Sequence, residues 1–99
     1  MISLTIRVVA KFHVKPEKVQ EFTDMCKKLV DETVKEAGCL EYGLYQALDN
    51  SEILTFLKEW RDESSLNEHM KSNHFIEIFP LFSECLVKEA EVSVYKKKL

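Results

Sequence analysis

From Ile2 to Val14 the chain alternates. Ile2, Leu4, Ile6, Val8, Ala10, Phe12 and Val14 fall on one side, with Thr5, Arg7, Val9, Lys11 and His13 on the other. Successive side chains of a strand point to opposite faces, so residues 2–14 predict a first strand with one strongly apolar side. Lys15-Pro16-Glu17 then opens a helix, because proline suits the first helical position and an acid there meets the positive end of the dipole. Val19, Phe22, Cys26, Leu29, Val30, Thr33, Val34 and Ala37 recur at helical spacing and carry that helix to about Ala37. Gly38 is expected to supply a left-handed stop. On the outer face Asp24 is expected to pair with Lys28, and Asp31 with Lys35.

Two runs rich in aromatic and aliphatic residues follow, Cys39 to Leu48 and Ile53 to Arg61. Asp49-Asn50-Ser51 separates them; these side chains bond to their own backbone and favour turns, so the pair predicts a hairpin. Asp62 is a natural N-cap for a helix from about Glu63 to Ser72, presenting Leu66, His69 and Met70 inward. Asn73 can cap a second short helix carrying Phe75, Ile78, Phe79 and Phe82, which Pro80 should bend or break. A last strand spans roughly Leu86 to Lys96. Strand, helix, two strands, helix in two pieces, strand is the ferredoxin-like split βαβ plan, an α+β fold with helices on one face of an antiparallel sheet. The third strand is apolar on both sides, with Leu54, Phe56 and Trp60 opposed to Ile53 and Leu57. The second behaves alike, with Leu40, Tyr42, Leu44 and Leu48 opposed to Cys39, Tyr45 and Ala47. Helices cover only one of those faces, so a homodimer packed sheet against sheet is expected.

Ninety-nine residues without repeat or linker read as one domain, 1–99. Apolar residues make up 45% and charged ones 31%, an ordinary globular composition. A formal charge of -3 argues against a nucleic-acid partner, which needs clustered cations. Lys96-Lys97-Lys98 reads as a solvated tail. With no charged-then-apolar leader and no apolar run long enough to cross a bilayer, neither secretion nor a membrane partner is expected, and the chain reads as cytoplasmic. Cys26, Cys39 and Cys85, odd in number and widely spaced, read as small core residues in a reducing compartment.

The chemistry gathers late in the chain. Trp60 at a strand end is either core or the wall of a pocket, and its indole N–H needs one partner. His69 titrates near neutral pH and could take the proton of a phenol; packed beside Leu66 and Met70 it could equally be a core histidine. His69 and His74 are five apart, which puts them on different sides of a helix with no acidic ligand placed with them, so no metal is expected. Tyr42 and Tyr45 alternate faces, and at most one should enter a given pocket. His13, on the polar side of the first strand, reads as solvent or interface. Phosphate loops, Ser-His-Asp patterns and dinucleotide fingerprints are absent, and no cofactor is expected.

Gly38-Cys39-Leu40-Glu41-Tyr42, the turn at Asp49, then Trp60-Arg61-Asp62-Glu63-Ser64-Ser65-Leu66-Asn67-Glu68-His69 and Asn73-His74-Phe75 resemble the antibiotic biosynthesis monooxygenase domain. The small quinol-monooxygenase-like bacterial members are the nearest in pattern. The resemblance implies a dimeric α+β barrel with a pocket between the sheet and the helices of each subunit. It implies oxygenation of quinol or phenolic aromatics by dioxygen without metal or flavin, the deprotonated substrate supplying the electrons. Carried over, His69 and Trp60 are the catalytic candidates, and Tyr42, His74, Phe56 and Met70 the substrate-binding ones. The sequence departs from the family at Lys58, where an acid is common. The haem-degrading branch of the fold uses a tryptophan, a histidine and an asparagine; His69, Phe79 and Ala10-Lys11 stand in those places, so the resemblance does not extend to haem degradation. Two other readings stay open: a proton-transfer isomerase acting on a small phosphorylated signalling molecule, and a ligand-binding dimer without turnover.

Overall fold

The computed structural model describes residues 4–99. Four antiparallel strands, β1 (Ile6–His13), β2 (Cys39–Ala47), β3 (Asn50–Trp60) and β4 (Glu91–Lys96), form one sheet in the order β2-β3-β1-β4. Three helices, α1 (Val19–Thr33), α2 (Glu63–Met70) and α3 (Asn73–Ile78), cover one face of it, the ferredoxin-like α+β plan. The expected first strand is present from Ile6; the contribution assigned to Ile2 lies outside the described residues.

The core is the layer between sheet and helices. β1 contributes Val8, Ala10 and Phe12, β3 contributes Leu54, Phe56 and Trp60, and α1 lays Phe22, Cys26 and Leu29 across them. Phe12 meets Phe22, Phe56 and Phe82 with ring centroids at 5.2, 6.0 and 5.5 Å. Aromatic contacts at this range add to the stabilisation from area burial alone.

Several boundaries differ from those the sequence suggests. Pro16–Lys18 is a single 3-10 turn, and the α-helix proper starts at Val19 and ends at Thr33. Gly38 is not left-handed, since no glycine has positive φ among the described residues. It is glycine for closeness: a Cβ there would collide with the Cβ and Oγ of Ser65. The helix-surface pairs form one step away from the expected ones, as Lys27–Asp31 and Lys35–Glu32, with Gln20 donating to Asp24. The hairpin is tighter than expected: Asn50 already pairs with Ala47, which leaves only Leu48-Asp49 in the turn.

α3 is capped by Ser72, whose hydroxyl accepts from the Phe75 amide, and not by Asn73. Pro80 ends the α-geometry and Phe79–Cys85 continues as 3-10 helix. The last strand does not begin at Leu86. That residue makes an isolated bridge to Val14, and the regular ladder with β1 starts at Glu91.

Candidate functional site

Three successive accidents of chain direction build the site. The turn after α1 carries Glu36, held as the Glu36 amide donates to the Thr33 carbonyl and the Glu36 carbonyl accepts from Cys39. β3 runs antiparallel to β1 and ends at Trp60, after which Asp62 caps α2 by accepting from the Ser65 amide at 2.8 Å and the Ser65 hydroxyl at 2.7 Å. α2 folds back over the sheet and sets His69 on Trp60, ring centroids 4.7 Å apart. The helix then breaks: the Ser72 amide and hydroxyl both bond the His69 carbonyl, and α3 leaves in a new direction.

That break corrects the expectation for the two histidines. Five apart on one helix they would diverge, but they lie on two, and both reach Glu36. His69 Nδ1 and His74 Nε2 each sit 2.7 Å from the same oxygen, Oε2. A carboxylate only accepts, so each of those nitrogens is the donor. In neutral His69 the lone pair is therefore on Nε2. That atom is buried and has no partner among the described residues. Burial holds the His69 pKa below its ordinary 6.5, with the Glu36 bond and charge pulling the other way. The ring is thus neutral near pH 7, with an accepting nitrogen to offer.

A ring layer packs around His69. Tyr42 meets it at 5.4 Å and Phe75 at 5.0 Å, both edge-on. Trp60 and His69 are both fully sealed from solvent. The Trp60 indole N–H also lacks a partner, while the Tyr42 and Thr33 hydroxyls face each other. Buried polar atoms are nearly always satisfied, so the unpartnered Trp60 N–H and His69 Nε2, on rings 4.7 Å apart, mark a place where the fold leaves hydrogen-bonding capacity unused. Burial, then the neighbouring Cys26, pushes the Tyr42 phenol well above its usual range, which makes it a donor and not a base.

Against this layer lies a cavity of about 280 Å³ between the sheet and α2–α3, lined by Val8, Ala10, Lys58, Leu66, His69, Met70, Phe75, Phe79, Val92 and Val94. Its walls are apolar but for Lys58 and His69. Of the six residues the sequence singles out, His69 and Met70 line it. Met70 is not inward-facing as expected; it sits half-exposed at the lip. Trp60, Tyr42 and Phe56 form the packed layer beside it. His74 lines a separate, polar groove between α1 and α3, with Lys28, Asp31, Glu32, Asn73, Glu77 and Ile78. Glu36, His69 and His74 bring a carboxylate oxygen and two ring nitrogens within 4.8 Å of one another, a donor set able to ligate a divalent cation. The expectation that no acid stands beside the histidines is therefore corrected, although a metal would have to displace both short hydrogen bonds.

Residues 5–80 match the model of the Antibiotic biosynthesis monooxygenase (ABM) family. The chain belongs to that family. A crystal structure of a conserved protein from Methanosarcina mazei is 64% identical, with a TM-score of 0.94 over 96% of this chain and 94% of that one. A crystal structure described as an antibiotic biosynthesis monooxygenase is 26% identical, with a TM-score of 0.89 over 95% of this chain and 99% of that one. The uncharacterised Synechocystis protein sll1783 is 29% identical over 92% of this chain. The matched stretch spans 62% of that relative's own length. ABM membership supports a monooxygenase-like function.

Within the ABM frame, Lys58, Glu36 and Phe75 are the site residues that sequence reasoning passed over. Lys58 was within reach of it, since it shares the inward parity of Leu54, Phe56 and Trp60. Glu36 was not, because only the folded turn brings it to His69.

Proposed function

We propose that this ABM protein is a cofactor-independent monooxygenase of quinol or other phenolic aromatics, with His69 as general base. The observation that carries this reading is the state of His69: Nδ1–H is fixed on Glu36, and Nε2 is free of partners beside an apolar cavity. Nε2 is sealed by its neighbours, so a phenol entering the cavity must part the side chains over it before it supplies the missing partner and gives its proton to Nε2. The resulting anion is electron-rich enough to react with dioxygen; one oxygen atom enters the product, the other leaves as water, and the substrate supplies the electrons. Trp60 holds the imidazole from behind. Tyr42 and Phe56 back the cavity floor, Met70 guards the mouth, and His74 steadies Glu36 from the outer side.

The apolar walls speak against a phosphorylated sugar, whose many polar groups would find only Lys58 and His69. The reading includes a homodimer, supported by the large side chains Tyr45 and Tyr95 left exposed on the sheet face turned away from the helices. It includes a reducing, cytoplasmic setting, supported by three unpaired cysteines. No helix among the described residues is long and apolar enough to cross a membrane.

The test is oxygen uptake across a panel of quinols and small polyketide phenols. Consumption matched to product formation is expected for at least one of them. His69→Ala should then lower turnover by about 10²–10⁴-fold, the usual contribution of one general base. A folded His69→Ala protein with full activity would show the histidine to be packing.

A further inference from the structure

Lys58 lies on the inward face of β3, 8% exposed, at the cavity floor. An ammonium there loses much of its hydration, which disfavours the charged form. What it gains in exchange is small. Nζ stands 5.3 Å from the ring centroids of both Tyr42 and Phe56, contacts that recover only part of that cost. It has no ion pair or hydrogen bond among the described residues. The ionisable groups facing it are Tyr42 from β2, Cys26 from α1 and His69 from α2. Burial keeps the first two in their neutral forms and disfavours the charged form of the third. β1, β4, α3 and the 3-10 segment present Val8, Ala10, Val92, Val94, Phe75 and Phe79. A methionine would fill this position without the penalty, so packing does not account for the amine. The site has one positive charge, in a chamber with apolar walls, with no carboxylate lining it to meet it.

We propose that Lys58 is the charge partner of the bound molecule, and that the cavity takes an aromatic whose apolar body carries a single acidic oxygen, held as its anion. This rests on the cavity being the substrate site and adds to that reading both a residue and a ligand class. His69 removes the proton and Lys58 holds the charge that removal leaves, a division of labour that favours the ionised ligand at neutral pH. Burial lowers the Lys58 pKa to about 8, which leaves the amine mostly protonated near pH 7.

The probe is p-nitrophenol, yellow as its anion and colourless as its acid, beside its methyl ether p-nitroanisole, which cannot ionise. Binding is measured with the intact protein at a pH where free p-nitrophenol is mostly protonated. Wild type should bind p-nitrophenol saturably as the yellow anion. Lys58→Met should weaken that binding about ten- to a hundredfold and lose the colour, while p-nitroanisole binds as before. Ala10→Leu, which projects carbons from the floor into the cavity, should weaken both ligands. If Lys58→Met binds the yellow anion as tightly as wild type while Ala10→Leu weakens both, the cavity reading stands and the role of Lys58 falls. If wild type binds neither ligand, or Ala10→Leu changes neither, both fall together. Should Lys58→Met not fold, Lys58→Gln is judged by the same loss of colour against retained p-nitroanisole binding.

Discussion

Two side chains set the behaviour of the site at the residue scale. Glu36 raises the His69 pKa against the stronger downward pull of burial. Glu36→Gln removes the upward pull, so the imidazole should charge only at still lower pH. The acidic limb of the kcat/KM profile should move down the pH scale, while kcat falls by about tenfold or more because the Nδ1–H loses a charged acceptor. An unmoved limb would mean that Glu36 does not act through His69. Lys58 affects stability in the opposite window. Its pKa drops from 10.5 to about 8 on folding. The unfolded chain therefore binds more protons between those values, and stability rises with pH across them. Lys58→Met should be more stable than wild type at pH 7, by up to about 3 kcal/mol. That excess should shrink as pH rises towards 10.5, which urea melts at several pH values will show. The buried lysine was legible in the strand alternation; a period of two that admits one cation is a deviation with a physical meaning.

Elements explain why the rest of the site was harder to read. The helical periodicity, read as running to about Ala37, gave the body of α1 but overshot its end at Thr33, whereas the Asp62 cap gave the start of α2, because a cap is a local signal. The chain between α1 and β2 meets a residue 27 positions away, where Gly38 lies against Ser65. A glycine required for closeness looks, in sequence, the same as one required for a left-handed turn. The two roles separate experimentally. Gly38→Ala should cost about 1–3 kcal/mol by pushing Ser65 off the Asp62 carboxylate. Adding Ser65→Gly should restore part of it in thermal melts, whereas a left-handed glycine would gain nothing from that second change. The α2–α3 break was legible as a second helix starting near Asn73, but the direction α3 takes, which brings His74 back to Glu36, was not. Lys71-Ser72 carries neither glycine nor proline, and on an unbroken helix the five-residue step would set the two histidines about 140° apart.

For the whole molecule, the order of strands and helices followed from the polarity pattern, while the way the sheet ends did not. The open face is divided. At one end Arg7 pairs with Glu41 at 2.7 Å and Thr5 donates to Glu59 at 2.9 Å. Towards the other end it presents Val9, Leu57, Ile53 and Tyr45. An apolar patch flanked by charge is the pattern expected of a face that meets a partner. Sedimentation at micromolar concentration should therefore give about twice the 11.6 kDa chain mass, and a stable monomer would remove the dimer from the functional reading. β4 adds a further consequence. Val92 and Val94 form one wall of the cavity and are also more than half exposed, on a strand at the sheet's free edge. The outer wall of the chamber is thus itself uncovered surface. If association buries that edge, occupancy of the chamber and assembly become linked equilibria: each favours the other by the same free energy, and the affinity measured for a small molecule will depend on how much protein is in the tube.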